Sequence, residues 1–409
     1  MFIIYCRIYQ FIMKCAACFM PWRKPVLIEG EGCVTKLADY IGKDGIKSVL
    51  FVTGKGMMKR GMADKLLEAL KDAGIAVAIY DKTVPNPTIS NIEEALVLYK
   101  ENGCGGIIAF GGGSPIDCAK GVGARIAKPH KSVPQLRGYL KVRAKLPPIY
   151  AVPTTSGTGS EATLAAVVVD GDTHEKYSIN DFGLIPSVAV LDPLLTVSLP
   201  KGLTAATGMD ALTHAVEAYI GHSNTAETRK MAVDATKLIF ENLYAAYNDG
   251  ANIAARRNMQ LAAYFAGVAF TRAYVGNIHA LAHTLGGLYD TPHGFANAVI
   301  MPYVLDSYGC SVYKPLSELA DAVNITGETV EEKAKAFINA IRELNAHMEI
   351  PETIDFILEN DIPAMVEHAS REANPAYPVP RIFSYEDFAN VIRKLMDSSK
   401  KHAAGLLIY

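Results

Sequence analysis

Short apolar runs alternate with amphipathic stretches along the first half of the chain. Five runs rich in β-branched residues predict strands, over residues 48–53, 76–80, 106–110, 149–152 and 188–191. Helical spacing of apolar positions over 63–73 and 92–100 predicts helices between them. Because the strand candidates are mostly unbroken apolar runs, the alternation predicts a parallel sheet covered by helices on both faces.

The pattern changes after Pro193, where apolar positions recur every three to four residues and β-branched alternation nearly disappears. The predicted helices span residues 204–219, 227–247, 253–270, 276–287, 330–347 and 385–396. We therefore predict an α/β domain over residues 25–196 and an all-helical domain over residues 197–409.

The first 24 residues form a separate segment. Residues 2–20 are strongly apolar, but Arg7, Gln10 and Lys14 interrupt them on one helical face. No basic region precedes the apolar stretch and no clear cleavage site follows it, so we expect neither a signal peptide nor stable membrane insertion. We predict an amphipathic helical extension that covers apolar surface on this chain or on a partner subunit. Loose association with a membrane surface is the alternative.

Composition narrows the class of protein. The 409 residues are 50% hydrophobic and 20% charged, which supports two or three domains with large cores. A net charge of −2 without a basic run argues against a nucleic-acid partner. The seven cysteines are scattered and odd in number, which favours reduced thiols in a cytoplasmic protein.

Histidines concentrate in two short segments of the second domain. Asp210 and His214 are four residues apart, as are His279 and His283, and each pair would project from one face of a helix. His293 follows ten residues later. Imidazole and carboxylate groups together bind borderline divalent cations, so the two segments predict a metal site.

A glycine-rich loop follows the predicted strand at 106–110. Gly111, Gly112 and Gly113 permit close approach of the backbone to a ligand, and Ser114 is a suitable N-cap for a following helix. Asp117 would complete a variant of the capping box. A helix N-terminus of this kind can bind a pyrophosphate, while a tight strand–helix turn without a ligand is the alternative. The spacing is not the G-x-G-x-x-G fingerprint.

A hydroxyl-rich loop follows the next predicted strand. Thr154, Thr155 and Thr158, with two serines and two glycines, suit contacts to phosphate or ribose, although an ordinary Ser/Thr-rich loop is the alternative. Two such loops at the ends of parallel strands favour a dinucleotide in the crevice between them.

These motifs, in this order, resemble the iron-containing (group III) alcohol dehydrogenases. The resemblance extends from about Pro25 to the C-terminus and rests on Gly-Gly-Gly-Ser-Pro-x-Asp, Pro-Thr-Thr-x-Gly-Thr, Gly-x-Asp-Ala-Leu-Thr-His and His-x3-His-x9-His-Gly. It implies a dehydroquinate-synthase-like fold, in which an N-terminal dinucleotide-binding α/β domain and an all-helical C-terminal domain enclose the active site.

The resemblance also assigns roles to residues. It implies a metal held by Asp210, His214, His279 and His293, with His283 acting near the nicotinamide and substrate as the catalytic histidine. The implied nucleotide contacts are Gly54, Gly112, Gly113, Ser114, Asp117, Thr154, Thr155, Thr158 and Lys176. Fe(II) is the implied metal and zinc the alternative. A homodimer in the cytoplasm is expected.

The implied activity is a metal-dependent, NAD(P)-linked alcohol dehydrogenase or aldehyde reductase, with hydride transfer between a metal-bound alkoxide and nicotinamide C4. Many NAD-preferring members have aspartate where this chain has Gly54, directly after the strand at 48–53. Loss of that carboxylate favours NADP and leaves NAD as the alternative, with Lys55 or Lys59 available to a 2′-phosphate. A glycerol or other polyol dehydrogenase, a lyase, or a non-catalytic nucleotide- or metal-binding protein are the rival functions.

Overall fold

A computed structural model describes residues 1–171 and 175–396. The end of the predicted helical domain, 397–409, and residues 172–174 lie outside the described part. The strands are β1 Val26–Glu29, β2 Ser48–Val52, β3 Ala76–Tyr80, β4 Gly106–Gly111, β5 Gly138–Tyr139, β6 Ile149–Pro153, β7 Ala165–Val169, β8 Lys176–Asn180 and β9 Val188–Leu191. The helices are α1 Phe2–Ala17, α2 Lys36–Lys43, α3 Lys55–Lys59, α4 Asp64–Asp72, α5 Ile89–Glu101, α6 Gly113–Ala127, α7 Lys201–Ile220, α8 Ala226–Asn248, α9 Ile253–Ala273, α10 Asn277–Tyr289, α11 His293–Tyr308, α12 Tyr313–Ala322, α13 Val330–His347, α14 Ile362–Ala373 and α15 Tyr385–Met396.

The central sheet has the order β1-β9-β6-β4-β2-β3, and every neighbouring pair is parallel. Along β4, Ile107 and Ala109 pack into one buried cluster, while Ile108 and Phe110 pack into another on the opposite face. Both faces are therefore covered, which confirms the parallel sheet predicted from unbroken apolar strands.

A smaller sheet of order β5-β8-β7, which contains the antiparallel pair β7–β8, was not predicted. Strand β1 was also missed, because it lies at the edge of the sheet with none of its four residues buried, so it lacks the unbroken apolar run of a central strand. The strand that precedes Gly54 is therefore β2, the second along the chain rather than the first.

The second half of the described chain is helical, and no strand follows Leu191 within residues 175–396. These helices enclose one large apolar core, and α7 is buried over most of its length. Helix α11 was not predicted, because it is apolar on nearly all sides and so has no amphipathic period. The change from sheet to helices falls between Leu191 and Lys201, and the boundary at 196–197 stays a prediction.

The N-terminal helix α1 docks by its polar face. Arg7 donates to the carbonyl oxygens of Val379 and Pro380 at 2.7 and 2.8 Å, and Gln10 donates to that of Tyr377 at 2.7 Å. Lys14 donates to the carbonyl oxygen of His222 at 2.6 Å. These polar side chains satisfy carbonyl oxygens of the docking surface. On the same side of the helix Cys6 is fully buried in the core of the helical domain, so the extension also covers apolar surface of this chain.

The outward face of α1 is apolar and exposed. Its members are Phe2, Ile3, Ile4, Tyr5, Ile8, Phe11 and Ile12, each more than half exposed. Covering by a partner subunit stays a prediction. Among the residues that the structure describes, no helix has both the length and the apolarity needed to cross a bilayer.

Candidate active site

Three of the predicted metal ligands converge where helices α7, α10 and α11 meet. Ligand-capable atoms of Asp210, His279 and His293 all lie within 4.8 Å of one another. Oδ1 of Asp210 is 3.4 Å from Nε2 of His293 and 3.9 Å from Nε2 of His279. Asp210 and His279 are each only 2% exposed, and an isolated buried carboxylate is costly, so this cluster suits a bound cation.

His214 lies beside this cluster without joining its closest atoms. Its Nδ1 is 4.0 Å from Oδ1 of Asp210 and has no hydrogen-bond partner among the described residues. The ring stacks on Phe270 and on His279, with centroids 4.0 and 4.5 Å apart. Burial lowers the pKa of His214, which favours the neutral imidazole that binds metals. A buried, unpaired nitrogen at this place fits a fourth ligand.

Glu217, which sequence reasoning missed, orients His279. Its Oε2 lies 2.7 Å from Nδ1 of His279, and the carboxylate also accepts the backbone N–H groups of Gly276 and Ile278. Burial raises the pKa of Glu217 to about 8, and these N–H groups act in the opposite direction. A carboxylate on the second ring nitrogen is the usual support for a metal-binding histidine. The spacing of Asp210, His214 and Glu217 on one helical face was the available signal.

Asn297, also missed, lies in the middle of the cluster. Its Nδ2 donates to Oδ1 of Asp210 at 2.8 Å and lies 3.3 and 3.2 Å from Nε2 of His279 and His293. The residue is fully buried and sits one helical turn after His293. It therefore contacts each of the three clustered groups.

His283 has a different environment from the ligand candidates. Its Nδ1 lies 2.6 Å from Oε1 of Glu372, and that oxygen also accepts the hydroxyl of Tyr377 at 2.7 Å. Burial would raise the pKa of Glu372, but His283 and these hydrogen bonds outweigh it and the pKa is lowered. The His283 ring stacks on that of His293 at 5.1 Å, so it adjoins the cluster while being held by a separate carboxylate.

The glycine-rich loop enters helix α6 earlier than predicted. Gly112 is the N-cap, and no side chain among the described residues caps the helix. Ser114 lies inside the first turn and accepts the backbone N–H of Asn86 at 3.2 Å, so its assignment as N-cap is wrong. The physical reason is that the chain turns at Gly111, whose φ of +147° favours glycine and where an added Cβ would lie 2.7 Å from Pro115, so the helix begins before Ser114. The uncapped N–H groups of this first turn fit an anionic phosphate.

Asp117 forms no capping box, because the helix has no capping side chain to pair with it. Its carboxylate instead accepts the hydroxyl of Ser160 at 2.7 Å and the backbone N–H of Val167 at 3.1 Å. The buried ammonium of Lys120 donates to Ser160, Thr163 and Ala165. Burial lowers the pKa of Lys120 to about 8 and raises that of Asp117. This network fixes the hydroxyl-rich loop to α6.

Most of the predicted residues line one cavity of about 410 Å³ between the two halves of the chain. They are Gly113, Ser114, Asp117, Thr158, Lys176, Asp210, His214, His279, His283 and His293. The ammonium of Lys176 donates to Oδ1 of Asn86, another residue of the cavity wall, at 3.0 Å. Loss of solvent around this ammonium lowers the pKa of Lys176. The metal candidates and five of the nucleotide candidates therefore share one cavity, as a reaction between their ligands requires.

The other nucleotide candidates are not among the described residues that line this cavity. Gly112 and Thr155 adjoin, since a Cβ placed on Gly112 would lie 3.4 Å from the Thr155 side chain. Thr154 is buried and contacts Met57 of α3 at 3.8 Å. Gly54 is the N-cap residue of α3, and its backbone pairs with that of Lys82 in an isolated β-bridge. All four lie at the carboxyl ends of β2, β4 and β6, the edge where dinucleotides bind to parallel sheets.

Comparison with known proteins now adds to this geometry. Residues 25–193 match the family model of iron-containing alcohol dehydrogenases, and residues 204–396 match that of the C-terminal domain of Fe-containing alcohol dehydrogenases. The chain belongs to the iron-containing alcohol dehydrogenase family. It is therefore a metal-dependent alcohol dehydrogenase, an oxidoreductase acting on CH–OH groups, with the predicted two-domain fold.

Individual members of the family resemble the chain over nearly its whole length. A 1,3-propanediol dehydrogenase of Klebsiella pneumoniae is 42% identical over 372 residues, covering 89% of this chain and 95% of the relative. An NAD-dependent methanol dehydrogenase of Bacillus methanolicus is 33% identical, covering 91% and 98%. The crystal structure of a 1,3-propanediol oxidoreductase superposes with a TM-score of 0.88 at 39% identity, covering 92% of this chain and all of that one.

Proposed function

We propose that the dehydrogenase reaction takes place in the cavity between the domains, on a small alcohol or aldehyde. The observation that carries this proposal is the lining of that one cavity by both ligand and nucleotide candidates. Asp210, His279 and His293 stand on one side, and the uncapped first turn of α6 stands on another. Short primary alcohols and diols are the substrate class we assign, because the named relatives act on such molecules.

The metal ligands that we assign are Asp210, His214, His279 and His293. A divalent ion bound there supplies positive charge that stabilises the alcohol oxygen as it loses its proton. Glu217 holds His279 through Nδ1 and leaves Nε2 for coordination. Fe(II) is the proposed metal and zinc the alternative, since nitrogen and carboxylate donors accept both.

His283 is the catalytic histidine in this proposal. Its Nδ1 is bound to Glu372, so Nε2 is the nitrogen available to exchange a proton in the cavity that His283 lines. Glu372 positions the ring, and the Tyr377 hydroxyl positions Glu372. The phosphates of the cofactor would lie on Gly112, Gly113 and Ser114.

The choice between NADP and NAD depends on Gly54 in this proposal. Without a carboxylate at the carboxyl end of β2, a 2′-phosphate meets no fixed negative charge there. Lys82, which sequence reasoning did not single out, pairs with Gly54 through a backbone β-bridge, so a lysine stands opposite Gly54 at this edge of the sheet. We therefore propose that NADP(H) is used at least as efficiently as NAD(H).

The test is to remove metal with a chelator, reload Fe(II) or Zn(II) without oxygen, and follow oxidation of NADPH and NADH with propanal. Turnover that requires both the metal and the aldehyde supports the proposal. Reloaded protein that oxidises neither cofactor with any of a panel of short aldehydes contradicts it.

We also propose a cytoplasmic homodimer. The seven cysteines are free thiols, which suits a reducing compartment, and the exposed apolar face of α1 is a surface that a second copy could cover. Light scattering on wild type and on Ile8→Glu tests both statements about assembly. A wild-type monomer contradicts the dimer, and a dimer that persists in Ile8→Glu contradicts the assignment of this face.

A further inference from the structure

The N-terminal extension forms part of the wall of the active-site cavity. Met13, Ala16 and Ala17 of α1 line the same space as the metal and nucleotide candidates, and so do Met20 and Trp22 after the helix. These residues precede both segments that match the family models, the first of which begins at residue 25. The extension is therefore a wall that the matched family segments do not contain.

This wall is anchored to both domains. On the helical domain, Arg7 and Gln10 bind the carbonyl groups of residues 377–380. On the α/β domain, Arg23 donates to the carbonyl oxygens of Pro186 and Ile185. Between these anchors the indole of Trp22 packs edge-on against Phe182, with the ring centroids 4.8 Å apart. The guanidinium carbon of Arg272 lies 5.5 Å from the centroid of the same indole. The extension thus crosses the cleft with its ends fixed.

The wall is also connected to the catalytic histidine. Gln10 binds the carbonyl oxygen of Tyr377, whose hydroxyl binds the carboxylate of Glu372, which in turn holds His283. A chain of hydrogen bonds therefore links the extension to His283, and Tyr377, in the middle of this chain, itself lines the cavity. Its contribution to the lining is apolar, since none of Met13, Ala16, Ala17 and Met20 carries a polar side-chain hydrogen donor or a charge.

We propose that residues 13–22 form the outer wall of the substrate subsite and limit the length of the alkyl chain that the enzyme accepts. This inference rests on the proposed function of the cavity. An apolar wall binds the hydrocarbon part of an alcohol or aldehyde, and its distance from the metal site sets how many methylene groups fit. In an apolar pocket one methylene group changes kcat/KM by about ten-fold or more.

The experiment compares kcat/KM for octanal and propanal in variants that enlarge or fill the wall. Met13→Ala enlarges it and should raise the octanal-to-propanal ratio by about ten-fold. Ala16→Phe fills it and should lower the ratio by about ten-fold or more. Ala17→Leu fills the same wall if Ala16→Phe does not fold. Metal content and the KM for NADPH should stay at wild-type values in each variant.

Two matched controls lie on the exposed side of the same helix. Ile12→Ala and Cys15→Phe make comparable changes in volume next to the wall residues, on side chains that face away from the cavity. Both should keep the wild-type ratio. Active wall variants whose ratio stays within about two-fold of wild type would overturn the inference alone. Wild-type protein without turnover on any aldehyde would overturn the proposed function, and the inference with it.

Discussion

The carboxyl group of Glu217 is hydrogen-bonded to the imidazole of His279, with 2.7 Å between Oε2 and Nδ1. Both side chains are buried. The same carboxylate accepts the backbone N–H groups of Gly276 and Ile278, at the start of helix α10. Glu217 therefore fixes both the ring and the end of the helix that carries it. Only Nε2 of His279 remains to face Asp210, and it would be the nitrogen available to a metal ion.

Replacing Glu217 by glutamine should weaken metal binding by about ten- to a hundred-fold, because an amide oxygen is a weaker acceptor for Nδ1 of His279 while all four proposed ligands remain. Titration of the metal-free protein with Zn(II) or Co(II) measures this. Glu331→Gln, which removes a carboxylate from a surface ion pair with Lys335, is the control and should bind metal like wild type. Wild-type affinity in Glu217→Gln would show that Glu217 only supports the fold.

His283→Ala should retain the metal and lose most turnover. His283 is outside the group of atoms that lie within 4.8 Å of one another, and its Nδ1 is bound to Glu372 instead. Glu372→Gln should reduce kcat less than His283→Ala does, because it disturbs the orientation of the ring without removing it. Metal analysis and steady-state kinetics measure both effects. Metal-free His283→Ala protein after standard loading would make His283 a ligand and require reassignment of another histidine.

Gly54→Asp should shift the preference towards NAD by about ten- to a hundred-fold in the ratio of kcat/KM values, since a carboxylate beside a 2′-phosphate is repulsive. An added Cβ would lie 3.2 Å from the backbone carbonyl oxygen of Thr83, so the variant requires the backbone at Thr83 to shift by a few tenths of an ångström. Gly56→Asp adds the same charge two residues further along and is the control. An unchanged ratio in Gly54→Asp, or wild type that ignores NADP(H), would show that Gly54 does not face the adenosine ribose.

Glu161→Gln should change how stability depends on pH. Burial raises the pKa of Glu161 from 4.5 to about 7, so the folded protein binds more protons than the unfolded chain between these values. The stabilising effect of the protonated group is complete below pH 4.5 and is lost as the pH rises through about 7. From pH 5 to pH 8, the free energy of unfolding of wild type should therefore fall relative to that of Glu161→Gln, by up to about 3 kcal/mol. The Tm of wild type should fall relative to that of the variant over the same range. Parallel Tm curves would contradict this.

Much of the fold follows from patterns that the sequence displays. Strand β9 was predicted at its observed bounds, because it is an unbroken apolar run between turn residues. Helix α7 was predicted within three residues of each end, because its long run is rich in the helix formers Ala and Leu. Strand β1 and helix α11 were missed, since one is a partly exposed edge strand and the other is apolar on nearly all sides. That polar side chains of α1 dock onto backbone carbonyl groups was not predicted, because periodicity shows that a helix has two faces but not which one meets polar backbone.

The parts of the candidate site that could be predicted are those whose residues lie together in short sequence motifs. Asp210, His279 and His293 do converge, and the glycine loop does open a helix into the same cavity. Asn297 and Glu372 were not found, because a single amide or carboxylate has no signal without its three-dimensional neighbours. The contribution of Met13 and Trp22 to the wall was equally hidden, since it depends on how the extension crosses the cleft.

The most direct test of this account is the metal content of His214→Ala and His279→Ala, measured by elemental analysis alongside wild type and His283→Ala. We predict that the first two variants fold, with melting transitions that remain cooperative, but lose the metal and turnover together. Wild type and His283→Ala should retain the metal. Full metal occupancy in His214→Ala or His279→Ala would contradict the ligand assignment on which the proposed mechanism depends.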